Sequence, residues 1–273
     1  MRESTSAPPQ VPRPTLRVPG AAWHIEPVTT LEPLAAVLLF SGLAALTAVL
    51  GTVPQALGKA PPRTWIGWAN ALAGGLMLGV AYTLLTEGLS TGLIAGGVGA
   101  LLGIGFVRGS HALAGTGELD VDELEFSGPG SGYQAVLVDA LHAADEGVAI
   151  GVAMAVSLPL GIAMATTLAV HNIPEAMVLS TVLARKGLGL PRAALVSVAV
   201  NVNQVLLAVV SFGLLSLFPA VLPLIAGFAV GALMYRTLVE LLPESYHQAG
   251  ETSIAMVTLL AMGVVVLLSG VAR

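Results

Sequence analysis

Eight blocks of this chain, at roughly 33–51, 66–87, 91–107, 133–157, 160–184, 192–217, 220–242 and 252–271, are apolar over lengths near or above the ~18 residues that carry a helix across a bilayer. They predict an all-α, polytopic membrane protein with eight transmembrane helices, whose main partner is the lipid bilayer and which binds no nucleic acid. The composition agrees, with 55% of residues hydrophobic, 10% charged and a mean hydropathy of +0.87. Soluble domains carry about 25% charged residues. The 32 glycines suit helices that must approach closely where no hydrophobic force drives them together. There is no cysteine, so disulfides and thiolate metal sites are excluded.

Residues 1–32 are rich in proline and lack the apolar core of a secretory signal; a disordered tail is expected there, ahead of a transmembrane domain over 33–273. Pro159 and Pro219 stand where one helix should stop and the next begin. Eight spans put both termini on one side, with Arg2, Arg13, Arg17 and Arg273. The other side receives Lys59, Arg63, Arg108, Arg185, Lys186, Arg192 and Arg236, so the positive-inside rule places the termini outside the cytoplasm. The plasma (cell inner) membrane is the expected location. A cytoplasmic loop over 108–132 then holds His111 and the acidic run ELDVDELEF, which reads as a solvated linker or a weak cation sponge.

Ionisable residues gather in the interiors of the middle spans. Span four carries Asp139, His142, Asp145 and Glu146, and span five carries His171, Asn172 and Glu175. The frame H-x-x-x-E occurs in both, and its second copy follows 29 residues after the first. Residues four apart share a helix face about one turn from each other. At a rise of ~1.5 Å per residue, His142 and His171 lie roughly 14 and 17 Å into their spans, near the middle of the membrane. Two imidazoles and two carboxylates, from His142, Glu146, His171 and Glu175, can then converge. Their charge of −2 balances a divalent transition metal, and a balanced site avoids the cost of net charge in a low dielectric.

Other residues support the set. Pro174 removes a backbone hydrogen bond beside His171 and frees the carbonyl of Val170. In span six, Gln204 can offer an oxygen to the metal or bond a ligating carboxylate; Asn201 and Asn203 read equally as packing glue. Glu240 and Glu244, four apart at the end of span seven, can gather cations at an inner mouth or be plain solvated acids.

LHAADEGVAIG and HNIPEA, with VELLPES closing span seven, resemble motifs of the ZIP family of divalent-metal transporters, and the resemblance runs over 33–273. It implies metal ligation by His142, Glu146, His171 and Glu175 and import of a divalent metal toward the cytoplasm by alternating access, often in a homodimer. Zinc is the first expectation, with Fe²⁺, Mn²⁺, Co²⁺, Ni²⁺ and Cd²⁺ also suited to N/O ligands. Gln204 falls where many members have a metal-bridging glutamate, Ala143 replaces an asparagine and Asn172 replaces an acid. These departures predict one competent site rather than two, with Asn172, Gln204 and Asp139 as further or supporting contacts and Glu240 and Glu244 on the pathway. The alternative is a transport-inactive relative that senses metal or serves as a scaffold. An enzyme is not expected: an intramembrane metalloprotease would show H-E-x-x-H, and the string does not occur.

Overall fold

The computed structural model describes residues 31–58, 62–88, 92–115 and 131–271. Of the tail expected over 1–32, residues 1–30 lie outside them and Leu31 and Glu32 open a helix; the acidic run (118–126) also lies outside. Among the described residues the structure is helical throughout, with no strand. α1 (Leu31–Thr47) tightens into a 3₁₀ turn (Ala48–Thr52) and the short α2 (Val53–Ala56). α3 (Arg63–Gly88), α4 (Leu93–Ala114), α5 (Ser131–Val156) and α6 (Leu158–Arg185) follow. α7 (Leu190–Val200) and α8 (Val202–Leu217) are parted at Asn201, and the chain continues through α9 (Leu222–Arg236), a π turn (Thr237–Leu241), α10 (Leu242–Ala249) and α11 (Glu251–Val271).

Seven continuous helical stretches are long and apolar enough to cross a membrane: Pro33–Ala56, Arg63–Thr86, Leu93–Ala114, Leu158–Arg185, Leu190–Leu217, Pro219–Ala249 and Glu251–Gly270. α5 is as long as they are, at 26 residues, but Asp139, Asp145 and Glu146 set it apart in composition.

Of the boundaries that differ from the sequence reading, those of the third and seventh helices move furthest. The third helix runs on through Arg108–Ala114, residues expected in a loop, and so places His111 on a helix. Nothing in that stretch breaks a helix until Gly115, which takes the left-handed conformation (φ 67°) and donates its N–H to the carbonyl of His111. The seventh span extends to Ala249 rather than ending at 242. Pro243 has no N–H to give the preceding turn, and the backbone there widens to i+5 bonding, with Leu242 N–H on the carbonyl of Thr237. The break at Pro159 stands as expected: Ser157 caps α6, its hydroxyl accepting from the N–H of Leu160 at 3.3 Å.

The exterior is apolar and the polar groups are inside. Leu38, Leu39, Ile94, Leu101, Leu259, Leu260 and Leu267 face outward. His142, Asp145, Glu146, His171, Asn172, Gln204 and Arg236 are all buried. Water would reward the opposite arrangement; a hydrocarbon surround rewards this one. Around the polar centre packs a core of Met77, Val80, Leu84, Val152, Met164 and Leu233. α5 lies along α8, α3 along α11 and α4 along α9. Interhelical hydrogen bonds add to the packing, among them Thr47 Oγ1 to the carbonyl of Ala169 (2.7 Å) and Asn203 Nδ2 to the carbonyl of Ala140 (2.9 Å). Asn203 is thus packing glue. Asn201, the residue at the break, turns its amide onto the carbonyl of Ser197 (2.9 Å).

Candidate metal centre

Neighbouring antiparallel helices set the level of each ligand. α5 runs from His142 to Glu146 as α6 runs from His171 to Glu175 in the opposite sense. Glu146 is therefore level with His171, and His142 with Glu175. One helical turn, about 6 Å along the axis, separates the two levels. The structure accordingly divides the four residues instead of gathering them at one point. Glu146, His171 and Glu175 offer ligand atoms within 4.8 Å of one another. His142 belongs to a second group, with Asp139 and Glu175, and to a third, with His111 and Glu240. Residues one turn apart can still share a coordination shell, as His171 and Glu175 do at 3.7 Å; His142 falls outside because, of the triad, it groups with Glu175 alone.

The three groups share members and form a chain. At its closed end Glu146 and His171 are 0% exposed, with Glu146 Oε1 3.1 Å from His171 Nε2 and His171 Nε2 3.7 Å from Glu175 Oε2. At its open end the side chains of His111 and Glu240 are 19% and 26% exposed, and His111 Nε2 lies 2.9 Å from Glu240 Oε1. His142 Nε2 stands 3.8 Å from Glu240 Oε2, with its ring 5.5 Å from that of His111. Glu244 belongs to none of these groups; it pairs with Gln248.

Arg236 is the residue the sequence reading misplaced. Expected among the basic residues of the inner side, it is 2% exposed. Its Nη1 donates to Glu146 Oε1 at 2.9 Å and its Nη2 to Glu175 Oε1. It is the last residue of α9, and the π turn begins directly after it. Position in the span gave the wrong signal: Arg236 lies six residues from the expected end of span seven, where an arginine can snorkel to the surface. The informative signal was two buried acids without a counter-ion.

Since Glu146 Oε1 already accepts from Arg236, the hydrogen between it and His171 sits on Nε2. His171 Nδ1, Glu146 Oε2 and both oxygens of Asp145 are buried without a hydrogen-bond partner. Buried polar atoms left so are costly unless something else satisfies them.

Gln204 and Asn172 bond each other: Asn172 Nδ2 donates to Gln204 Oε1 and to the carbonyl of Ala44, both at 2.9 Å. The Gln204 oxygen is engaged there, while its Nε2, the atom that could donate to a carboxylate, and Asn172 Oδ1 have no partner. Asn172 thus ties α6 to α1 and α8. Asn172→Ala should lower unfolding free energy by about 1 kcal/mol, two interhelical bonds at roughly 0.6 kcal/mol each, read as a drop in the melting temperature in detergent; an unshifted melt would show the bonds to be idle.

A family model for ZIP zinc transporters matches residues 110–270, more than half of the chain and every member of the three His/acid groups. An Arabidopsis thaliana protein named as a candidate zinc transporter is 30% identical over 225 residues, covering 80% of this chain and 36% of that protein. The Bordetella bronchiseptica zinc transporter ZIPB is 30% identical over 119 residues, covering 43% of this chain and 38% of ZIPB. The chain thus spans less than two fifths of the length of either relative. Family match, apolar helices and buried His/Glu groups agree, and the chain belongs to the ZIP zinc transporter family as a multi-pass membrane protein.

Proposed function

We propose that the chain moves a divalent transition metal, zinc foremost, through the membrane toward the cytoplasm. One observation carries this reading: Glu146, His171 and Glu175 hold three ligand atoms within 4.8 Å in the interior of an apolar helical assembly. Such groups are costly in a bilayer unless they serve an ion or a proton. Nitrogen and oxygen ligands without thiolate suit zinc, and also Fe²⁺, Mn²⁺, Co²⁺, Ni²⁺ or Cd²⁺. The three linked groups offer successive resting places, from the closed triad through Glu175, Asp139 and His142 to His142, His111 and Glu240. A cargo must be held well enough to enter and loosely enough to leave, and shared ligands provide that handover. For His171 to ligate through Nε2, its ring hydrogen must sit on Nδ1 instead, the tautomer that the partnerless Nδ1 leaves free to form. Asn172 and Gln204 hold α6 against α8 through the bond between them.

In this reading α5 also crosses the membrane, as the fourth of eight spans, with its acids turned to the centre. Both termini lie outside the cytoplasm. Removing Arg236 from the inner side leaves six basic residues there, still more than the four on the terminal side. The protein works in the plasma (cell inner) membrane, as a homodimer, and as a carrier rather than an enzyme.

Purified protein in proteoliposomes, offered a mixture of divalent ions and read by elemental analysis, tests the reading. Zinc should accumulate, and His171→Ala and Glu175→Ala should each remove most of that flux while the protein still inserts. Normal flux in both variants would defeat the site; saturable binding without flux in the wild type would make the chain a sensor.

A further inference from the structure

Resting on that reading, we propose that Arg236 is a tethered counter-ion of the metal centre: its guanidinium neutralises Glu146 and Glu175 when no metal is bound, and an arriving dication must displace it. The guanidinium is buried and bridges the two carboxylates of the triad, one on α5 and one on α6. Among the described arginines it is the only buried one; Arg63, Arg108, Arg185 and Arg192 are exposed.

The charges decide the consequence. Counting the triad alone, with both carboxylates ionised and the imidazole neutral, the charge is −2, and Arg236 brings it to −1. A dication bound beside an unmoved guanidinium would leave +1, with two cations facing each other in a poor dielectric. Without the arginine the metal-loaded centre would be neutral and the empty one would carry −2. Arg236 therefore lowers the cost of the empty state and raises that of the loaded state, and both changes weaken binding. A carrier that must release its cargo gains from this.

Its place in the chain suits displacement. The side chain leaves the end of α9 where bonding changes to the wider π turn, the backbone form that often marks functional positions. Glu240 lies four residues on, at the open end of the chain of groups, and can receive the displaced charge.

Zinc titration of the purified protein in nanodiscs separates this from a plain structural ion pair. Arg236→Met should bind zinc about tenfold or more tightly than the wild type, whereas Arg236→Lys, which keeps the charge, should bind no more tightly than the wild type. Affinity unchanged or weakened in Arg236→Met, or tightened equally in Arg236→Lys, would overturn the proposal. Since Arg236→Met strands two buried acids and can misfold, the wild type gives a second measurement. In ¹⁵N-arginine-labelled protein, the solvent-protected guanidinium signal should shift as zinc saturates; a fixed signal with zinc bound would overturn displacement. Zinc binding that His171→Ala abolishes but Arg236→Met does not tighten sinks the counter-ion alone. No saturable binding by either the wild type or Arg236→Met sinks the site reading and the counter-ion with it.

Discussion

Glu146→Gln should stop zinc uptake while leaving a protein that inserts and purifies. The substitution keeps the shape of the side chain and an oxygen at Oε1, so Arg236 retains an acceptor. What disappears is one of the two negative charges of the triad, at a position 0% exposed. There the charge lost cannot be made up by water. Outer partners of a metal site typically affect affinity by about 10–100-fold; a direct ligand should reach about 100-fold or more. Stability should fall as well, because Arg236 is left with Glu175 as its sole anionic bonding partner. Hydrogen bonds to charged groups contribute roughly 1.5–3 kcal/mol, so a lower melting temperature is expected alongside the lost flux. Uptake at the wild-type rate would rule Glu146 out as a ligand, whatever happened to the melt.

The residues that carry this expectation were readable before the structure because their cost was readable. His142, Glu146, His171 and Glu175 stand out in apolar runs, and a four-residue spacing fixes them to one face whatever the neighbouring helices do. Seven of the eight apolar runs return as helices long enough to cross a membrane for the same reason, since apolar length is a local property. What the sequence could not supply was height. Whether two antiparallel faces meet level or one turn apart depends on the docking of α5 on α6, which sets Glu146 beside His171 and leaves His142 in the neighbouring groups. Arg236 was hidden by a similar gap. An arginine near the end of an apolar run can reach water or turn inward, and only the acids on two other helices decide between them. Hydropathy places His111 in a loop because the apolar signal fades before its helix ends. Helix continuation there rests on backbone bonding up to Gly115, which hydropathy does not register.

The second large effect should come from a residue with no side chain at all. Gly147 follows Glu146 directly and faces the backbone of α8: a Cβ built on it would lie 2.9 Å from the Cα and carbonyl carbon of Gln204, and closer still to the carbonyl oxygen. Real Cβ atoms do not approach backbone so closely, and backbone cannot rotate aside as a side chain can. One turn on, Gly151 would meet Ala208, Ser211 and, at 3.0 Å, the amide nitrogen of Phe212. The two glycines form a seam in which α5 and α8 touch backbone to backbone. In lipid, packing is the main force holding such a seam, because hydrocarbon receives the parted surfaces as readily as protein does. Gly147→Val should therefore push α8 outward, strain the Gln204–Asn172 bond and tilt Glu146 off its contact with His171. Overpacking costs about 1–3 kcal/mol even where a core can adjust, and ligands displaced by more than about 0.5 Å lose their geometry. The expected result is a lowered melting temperature in detergent together with zinc binding too weak to saturate. Gly213→Ala, on the same α8 but with nothing within 4 Å of its Cβ, should melt and bind as the wild type does. If Gly147→Val matched that control in both measurements, the seam would not be what positions the centre.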